Sequence, residues 1–330
     1  MYETGSASGV VDLITKLEVF MAANGWTTDS FATEGTGKRY HAHRGSVYFN
    51  ARAYAAETVS GALQDGGNTN VSALAMNLST AATGGSAWFD NPGAPATSAP
   101  LYHTAGLDGL SAAIPAYHFF AHNSGDQIVV VVEYASGYYQ WLVFGTLAKF
   151  GTYTGGAYFT GSRHGLSNLV QSNNGFVPGI GFFSKQSQVG TTTSPAFVSV
   201  SVDSETGWHW SDSYSSGRDA AKRYIVDNFK HYETTLGIQP NTLNSLVVMM
   251  SVVVSVERGT TSHGSERLSP LGELPGVYFL RISSLTPGQQ ITLGSDDYRV
   301  FPFYYKNNAA ALPSSIGTGH SSYYGFAVKE

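Results

Sequence analysis

Three apolar runs joined by two very short links constrain the fold more than anything else in this chain. In YHFFAHNSGDQIVVVVEYASGYYQWLVFGTLAKFG, residues 117–151, the runs are Tyr117–His122, Ile128–Tyr134 and Tyr139–Leu147. Asn123-Ser124-Gly125-Asp126 and Ala135-Ser136-Gly137 link them. A parallel crossover needs about a dozen residues or more. Links this short therefore predict an antiparallel meander.

The same signal recurs. KRYHAHRGSVYFNARAY, residues 38–54, alternates around Arg44-Gly45-Ser46 and reads as a hairpin. Val47, Phe49 and Ala51 fall on one face of its second strand, and Tyr48, Asn50 and Arg52 on the other. AFVSVSVDS (196–204), LNSLVVMMSVVVSVER (243–258), GVYFLRIS (276–283), QITLGSDDYRVFPFYYK (290–306) and HSSYYGFAVK (320–329) read as further strands. Pro302 within the fourth of these predicts an edge or a bulge.

One segment has a helical period instead. SGVVDLITKLEVFMAANG, residues 8–25, spaces Val10, Ile14, Leu17 and Met21 by three and four. Ser8 is the expected N-cap and Gly25 the stop. Lys16 follows Asp12 by one turn. The expected organisation is a helical segment over 1–25 and a β-rich domain over 26–330, with a subdivision near 195–215. The expected fold is mainly β, an antiparallel β-sandwich with a short N-terminal helix and long Gly/Ala/Ser/Pro-rich loops. Residues 62–115 are read as a loop excursion with at most one short helix. Residues 217–236 admit a helix, with Tyr224–Val226 as the competing strand.

Composition narrows the partners. Charged residues are 12% of the 330, about half the usual 25% or so. Hydrophobic residues are 42%, with 20 Tyr and 18 Phe, so a large core is affordable and uncharged aromatic surface suits burial by neighbours. The net charge is −5 and the longest basic run is Lys38-Arg39, which argues against nucleic acid. With no cysteine there are no disulfides or thiolate chemistry. No membrane span is expected, because Leu246–Val256, the most apolar segment, is far short of the ~20 residues that one needs. MYETGSASGV lacks the basic and apolar regions of a signal peptide.

Catalytic motifs are lacking in the same reading. His41-x-His43 puts two imidazoles on one strand face, but no adjacent residue offers a third ligand. The preferred reading is two polar residues on the solvent face of a hairpin. His118 and His122 lack the Glu of a zinc-protease helix. GLSNL and GGSAW miss the Gly-x-Ser-x-Gly elbow. GTGKRY lacks the upstream glycine and the Ser/Thr of a phosphate loop. The acids are sparse and gather in turns such as Asp296-Asp297. No enzyme, cofactor or metal is expected.

The aromatic groups Tyr138-Tyr139-x-Trp141, Trp208-His209-Trp210, Tyr304-Tyr305 and Tyr323-Tyr324 are the feature the core does not obviously absorb. On a strand one member of each adjacent pair faces outward. A subunit interface is the first reading, ordinary core and surface tyrosines the second, and a sugar-stacking platform the third.

Several segments, taken in order, resemble one family. YETGSASGVVDLITKLEVFMAANGW, WFDNPGAP, YHFFA, VVVVEYASGYYQWLVFGTLAKFGTYTGGAYFTGS, ELPGVYFLRI, DDYRVFPFYYK and HSSYYGFAVK are similar to segments of a group of tailed-bacteriophage virion structural proteins. The resemblance runs nearly the full length, apart from Ser211–Asn244. It implies assembly into a particle at the neck, collar, tail or baseplate, after synthesis in the host bacterial cytoplasm. It implies further copies of the chain and other virion proteins as partners, and supplies no catalytic residues. A receptor- or glycan-binding tail appendage, contacting host surface glycan, is the alternative.

Overall fold

The computed structural model describes residues 1–59, 68–83, 88–95, 104–162, 182–183, 196–202, 205–210, 225–228, 247–258, 267–309 and 324–330. The protein is mainly β, built of antiparallel sheets with one α-helix among the described residues. It divides into two compact units. One comprises Met1–Ala135, Gln140–Thr146 and Ala157–Phe176. The other comprises Ser136–Tyr139, Leu147–Gly156 and Val177–Glu330.

The first unit opens with strand β1 (Tyr2–Ala7) and helix α1 (Val10–Ala23). A five-stranded sheet follows: β2 (Thr27–Glu34), β3 (Gly37–Arg44), β4 (Val47–Val59), β5 (Asn68–Ser79) and β6 (Ala105–Leu107), paired in that order. The expected meander is present as β7 (Ile114–His122), β8 (Gln127–Ala135) and β9 (Tyr138–Thr146). After β10 (Ala148–Lys149), which belongs to the second unit, β11 (Thr154–Gly161) pairs with β9. Within this unit the order of the second sheet is β1-β7-β8-β9-β11.

Ring contacts join these two sheets into a sandwich. Phe144 of β9 stacks on Phe49 of β4 at 4.6 Å and meets Trp26 edge-on at 5.8 Å. Helix α1 buries Val10, Leu13, Ile14, Leu17, Phe20 and Met21, and Phe20 reaches Phe119 of β7 at 5.5 Å. Each such side chain contributes about 1.5–3 kcal/mol on burial. Leu17→Ala would cost about 2–5 kcal/mol, because the site is closed on all sides.

The helix ends as the sequence requires. Gly25 N–H donates to Ala22 O at 3.1 Å and Trp26 N–H to Met21 O at 3.0 Å, with Gly25 at φ +86°. That pairing is a Schellman stop, and glycine takes its left-handed position without penalty. The Asp12–Lys16 pair forms at 2.6 Å. The start differs from expectation: Gly9 is the N-cap without a side-chain bond. Ser8 instead donates its own N–H to Asp12 at 2.8 Å, so the carboxylate of the first turn reaches back.

Three further segments differ from the sequence reading. The residues before α1 form a strand, β1, paired with β7. The supposed loop excursion contains β5, twelve residues long, with Leu74, Met76 and Leu78 fully buried on one face. Ala and Asn at its alternate positions have low β-propensity and hide the pattern. Where residues 217–236 are described, Ile225–Asp227 is a short strand, β14, rather than helix.

In the second unit β12 (Phe197–Val202) and β13 (Glu205–Trp210) form a hairpin. A mixed-length antiparallel sheet runs β14, β15 (Met249–Arg258), β16 (Arg267–Arg281), β19 (Tyr324–Lys329), β18 (Asp296–Pro302), β17 (Gln290–Leu293), and β10 also pairs with β16. Phe279, Phe326 and Phe301 face one another across β16, β19 and β18, and Phe182 packs on Phe279 and Phe326. The other face carries Leu280, Tyr298, Val300 and Ala327, with Ile282 and Leu285 against them. Both faces are therefore covered. Pro302 closes β18 beyond its last pair with β17 at Arg299 and is laddered on one side, to Gly325 of β19, which is a local edge position.

Candidate functional site

The nine aromatic residues singled out above have different fates. Tyr139, Trp141 and Tyr324 are buried, at 6%, 2% and 8% exposure, so their rings belong to the core of their own chain. Tyr138, Tyr304, Tyr305 and Trp208 are half-buried. Trp210 ends β13 but its side chain lies outside the described residues, as does Tyr323.

Three of them meet. Tyr138 and Tyr305 form an isolated antiparallel bridge. Tyr139 N–H donates to Tyr304 O at 2.6 Å and Lys306 N–H to Gly137 O at 2.9 Å. This short backbone ladder brings the Tyr138 ring to 4.5 Å from Tyr305 and 5.4 Å from Tyr304. The amide of Asn307 donates to the Tyr305 hydroxyl at 3.2 Å. Gly137, at φ +75°, makes the turn, and a Cβ there would press on Asn307 and on the Tyr305 ring. The result is an uncharged cluster of three half-exposed tyrosines on a fixed backbone.

A residue the sequence reading passed over is more exposed than any of these. Phe150 is 53% exposed, and it is the one aromatic in the exposed class among the described residues. Its loop is held firmly. Phe150 N–H donates to Leu271 O at 3.0 Å, and the Tyr153 hydroxyl donates to the same carbonyl at 3.1 Å. Lys149 Nζ donates to Tyr153 O at 2.9 Å and Gly155 O at 3.2 Å, and lies 5.1 Å from the Tyr153 ring centre. The signal in the sequence was available: Lys149-Phe150-Gly151 sits at a link between strands, where alternation no longer aims a side chain inward.

The candidate metal pair is placed differently from expectation. His41 is not on a solvent face; it is 1% exposed. Its Nδ1 lies 2.8 Å from Asn50 Oδ1. Asn50 Nδ2 donates to Ser79 Oγ at 2.8 Å and to Asn77 Oδ1 at 3.3 Å. Burial, above all, lowers the His41 pKa, opposed by the Asn50 bond. His43 is half-exposed and its Nδ1 meets Asp29 at 2.8 Å. Arg52, also buried, holds Glu34 at 3.0 Å and Glu57 at 2.8 Å. The face read as solvent-exposed is thus a buried polar layer, in which most groups pair with one another.

His118 and His122 do lie on a strand, β7, with Phe120 between them. Tyr2 stacks over His118 and Phe120 at 6.1 and 4.7 Å, and its hydroxyl meets His118 Nδ1 at 2.8 Å. Asp297 accepts from Thr292 Oγ1 at 2.6 Å, which lowers its pKa, and Asp296 pairs with Lys329 at 2.7 Å. Among the described residues no three His, Cys, Asp or Glu converge as a metal site, and no helix is long and apolar enough to cross a membrane. Comparison of the chain with protein-family models and with curated proteins finds no match.

Proposed function

We propose that this chain is a structural component of a tailed-phage virion, assembling as a symmetric oligomer at the neck or at the tail and baseplate. The ordered set of sequence segments that resemble that family supports the reading, as does the shortage of charge. The observation that carries it is Phe150: a bulky ring displayed to solvent on a loop pinned by Leu271, Tyr153 and Lys149. An aromatic left half in water gains little for the isolated chain, whereas a loop already pinned loses little entropy on docking. Tyr138, Tyr304 and Tyr305 offer a second uncharged surface of the same kind. Association then works by aromatic burial between subunits, with main-chain pairing at sheet edges.

Sedimentation of the purified protein tests this. A ring or higher oligomer is expected, with Phe150→Ser shifting it toward monomer while leaving the thermal midpoint nearly unchanged. A monomer at all accessible concentrations that also fails to co-sediment with virion components would end the proposal.

The tyrosine cluster favours a second reading, a glycan-binding tail appendage. Rings beside a side-chain amide such as Asn307 suit stacking on a sugar with hydrogen bonding at its edge. Binding of host surface polysaccharide by a free oligomer, lost in Tyr305→Ala, would select this reading over the first.

A further inference from the structure

We propose that the buried ladder His41–Asn50–Asn77–Ser79 is an acid-sensitive latch: protonation of His41 releases the segments 80–83 and 88–95 that the ladder holds against the five-stranded sheet. The inference concerns the first unit alone and does not depend on the assembly reading.

The protonation state follows from the bonds. Asn50 uses its amide nitrogen on Ser79 and Asn77, so the atom facing His41 is its carbonyl oxygen, an acceptor. His41 Nδ1 must therefore carry the proton of the neutral ring. That leaves Nε2 as a bare lone pair, fully buried and without a hydrogen-bond partner. A second proton would place an N–H there with no protein acceptor, and a positive charge in a buried site.

The charged neighbours do not compensate. On β3 the same face carries Arg39 and His43, and on β4 it carries Arg52. Asp29 is bonded to His43, Glu34 to Arg39 and Arg52, and Glu57 to Arg52. The facing groups of β5, Asn77 and Ser79, are neutral. Arg39 opposes a charge on His41, Asp29 and Glu34 favour it, and burial outweighs them, so the pKa is lowered.

The opening that admits water runs through the cover rather than through β3. β3 is paired on both sides, to β2 and β4, and opening it would break two ladders. The cover is held by fewer bonds. Asn77 Nδ2 donates to Phe89 O and Ser79 Oγ to Ala81 O, both at 2.8 Å. Trp88 Nε1 donates to the Tyr54 hydroxyl at 2.9 Å, and Trp88 packs on Tyr54, Ala73 and Ala75, which share the ladder's face. The Nε2–H of a protonated His41 gains an acceptor only if the layer opens to water, and these anchors are the bonds that then let go.

The sign is fixed by linkage. An opened His41 titrates near its ordinary value of about 6.5, and the closed form below it. Closure is therefore fully stabilised above about pH 6.5 and weakens as pH falls, because the open form binds the proton.

Amide exchange of the full chain tests this, compared at about pH 7.5 and about pH 5.5 after correction for intrinsic rates. Exchange over 88–95 should rise severalfold, up to about tenfold, at the lower pH and recover on return. His41→Gln should abolish the rise, and His43→Gln should keep it. An unchanged wild type, or an equal rise in His41→Gln, overturns the latch. Should His41→Gln fail to fold, the wild-type imidazole titration by NMR decides: a lowered pKa that moves with the Trp88 indole signal supports the latch, and an ordinary pKa overturns it.

Discussion

Arg44 Nε donates to an Asp126 carboxylate oxygen at 2.6 Å, tying the end of β3 to the turn between β7 and β8. The same guanidinium donates to Asn24 O at 2.7 Å and to Ser124 O. One side chain thereby closes the C-terminus of α1, the β3–β4 hairpin and the meander turn, and Trp26 Nε1 adds a bond to Gly125 O at 2.9 Å. Arg44→Ala strands two carbonyls and is expected to lose about 2–3 kcal/mol. Asp126→Asn removes only a half-exposed ion pair and should cost less than about 1 kcal/mol. Urea midpoints of the two variants check the ordering; equal losses would contradict it.

Gly145 lies inside β9 at φ +143°, where a side chain is strained. A Cβ there would also overlap the Asp126 carbonyl oxygen, which accepts the Thr146 N–H at 3.0 Å. Gly145→Ala is expected to lower stability by about 3 kcal/mol. Thermal unfolding measures it, and a neutral effect would show that the strand can shift locally.

Gln140 acts as a piece of strand backbone. Its Oε1 accepts Asp108 N–H at 2.7 Å and its Nε2 donates to Asp108 O at 2.6 Å, and the side chain is 1% exposed. Gln140→Leu keeps the volume and leaves both groups unpaired, at about 2–4 kcal/mol. The Asp108 amide should then exchange faster by a factor of at least about ten, while amides of β7 stay protected.

The strands that the sequence announced are those whose Val, Phe and Tyr alternate between short links, such as β7, β8 and β9. β1 and β5 were not legible because Gly, Ser, Ala and Asn fill them, and only pairing across the sheet gives those residues a strand conformation. The polar layer was hidden for a related reason. His41, Asn50, Asn77 and Ser79 look like solvent residues singly, and only their register, set by three different strands, turns them into a ladder. Contacts between Tyr138 and Tyr305 join positions far apart in the chain, which no local pattern records. Phe150 was overlooked because aromatic pairs drew the reading to strands rather than to the link between them.

Buried tyrosines set the alkaline limit of this fold. Burial pushes Tyr54 up to about 12, against the Trp88 bond and Arg52, which pull it down. Burial also raises Tyr158 well above its ordinary value, where its hydroxyl donates to Gln127. An unfolded tyrosine ionises near pH 10 or so. A folded pKa above that value favours the protonated form, so the stability it contributes is complete below about pH 10 and is lost as pH rises toward about 12. Tyrosinate absorbance should therefore appear late and together with loss of the β signal in circular dichroism, in one cooperative step. Tyr158→Phe keeps the packing and removes the ionisable group, and should move that step to higher pH. Gradual ionisation of all tyrosines near pH 10 with the sheet intact would mean that Tyr54 and Tyr158 reach water in the folded state.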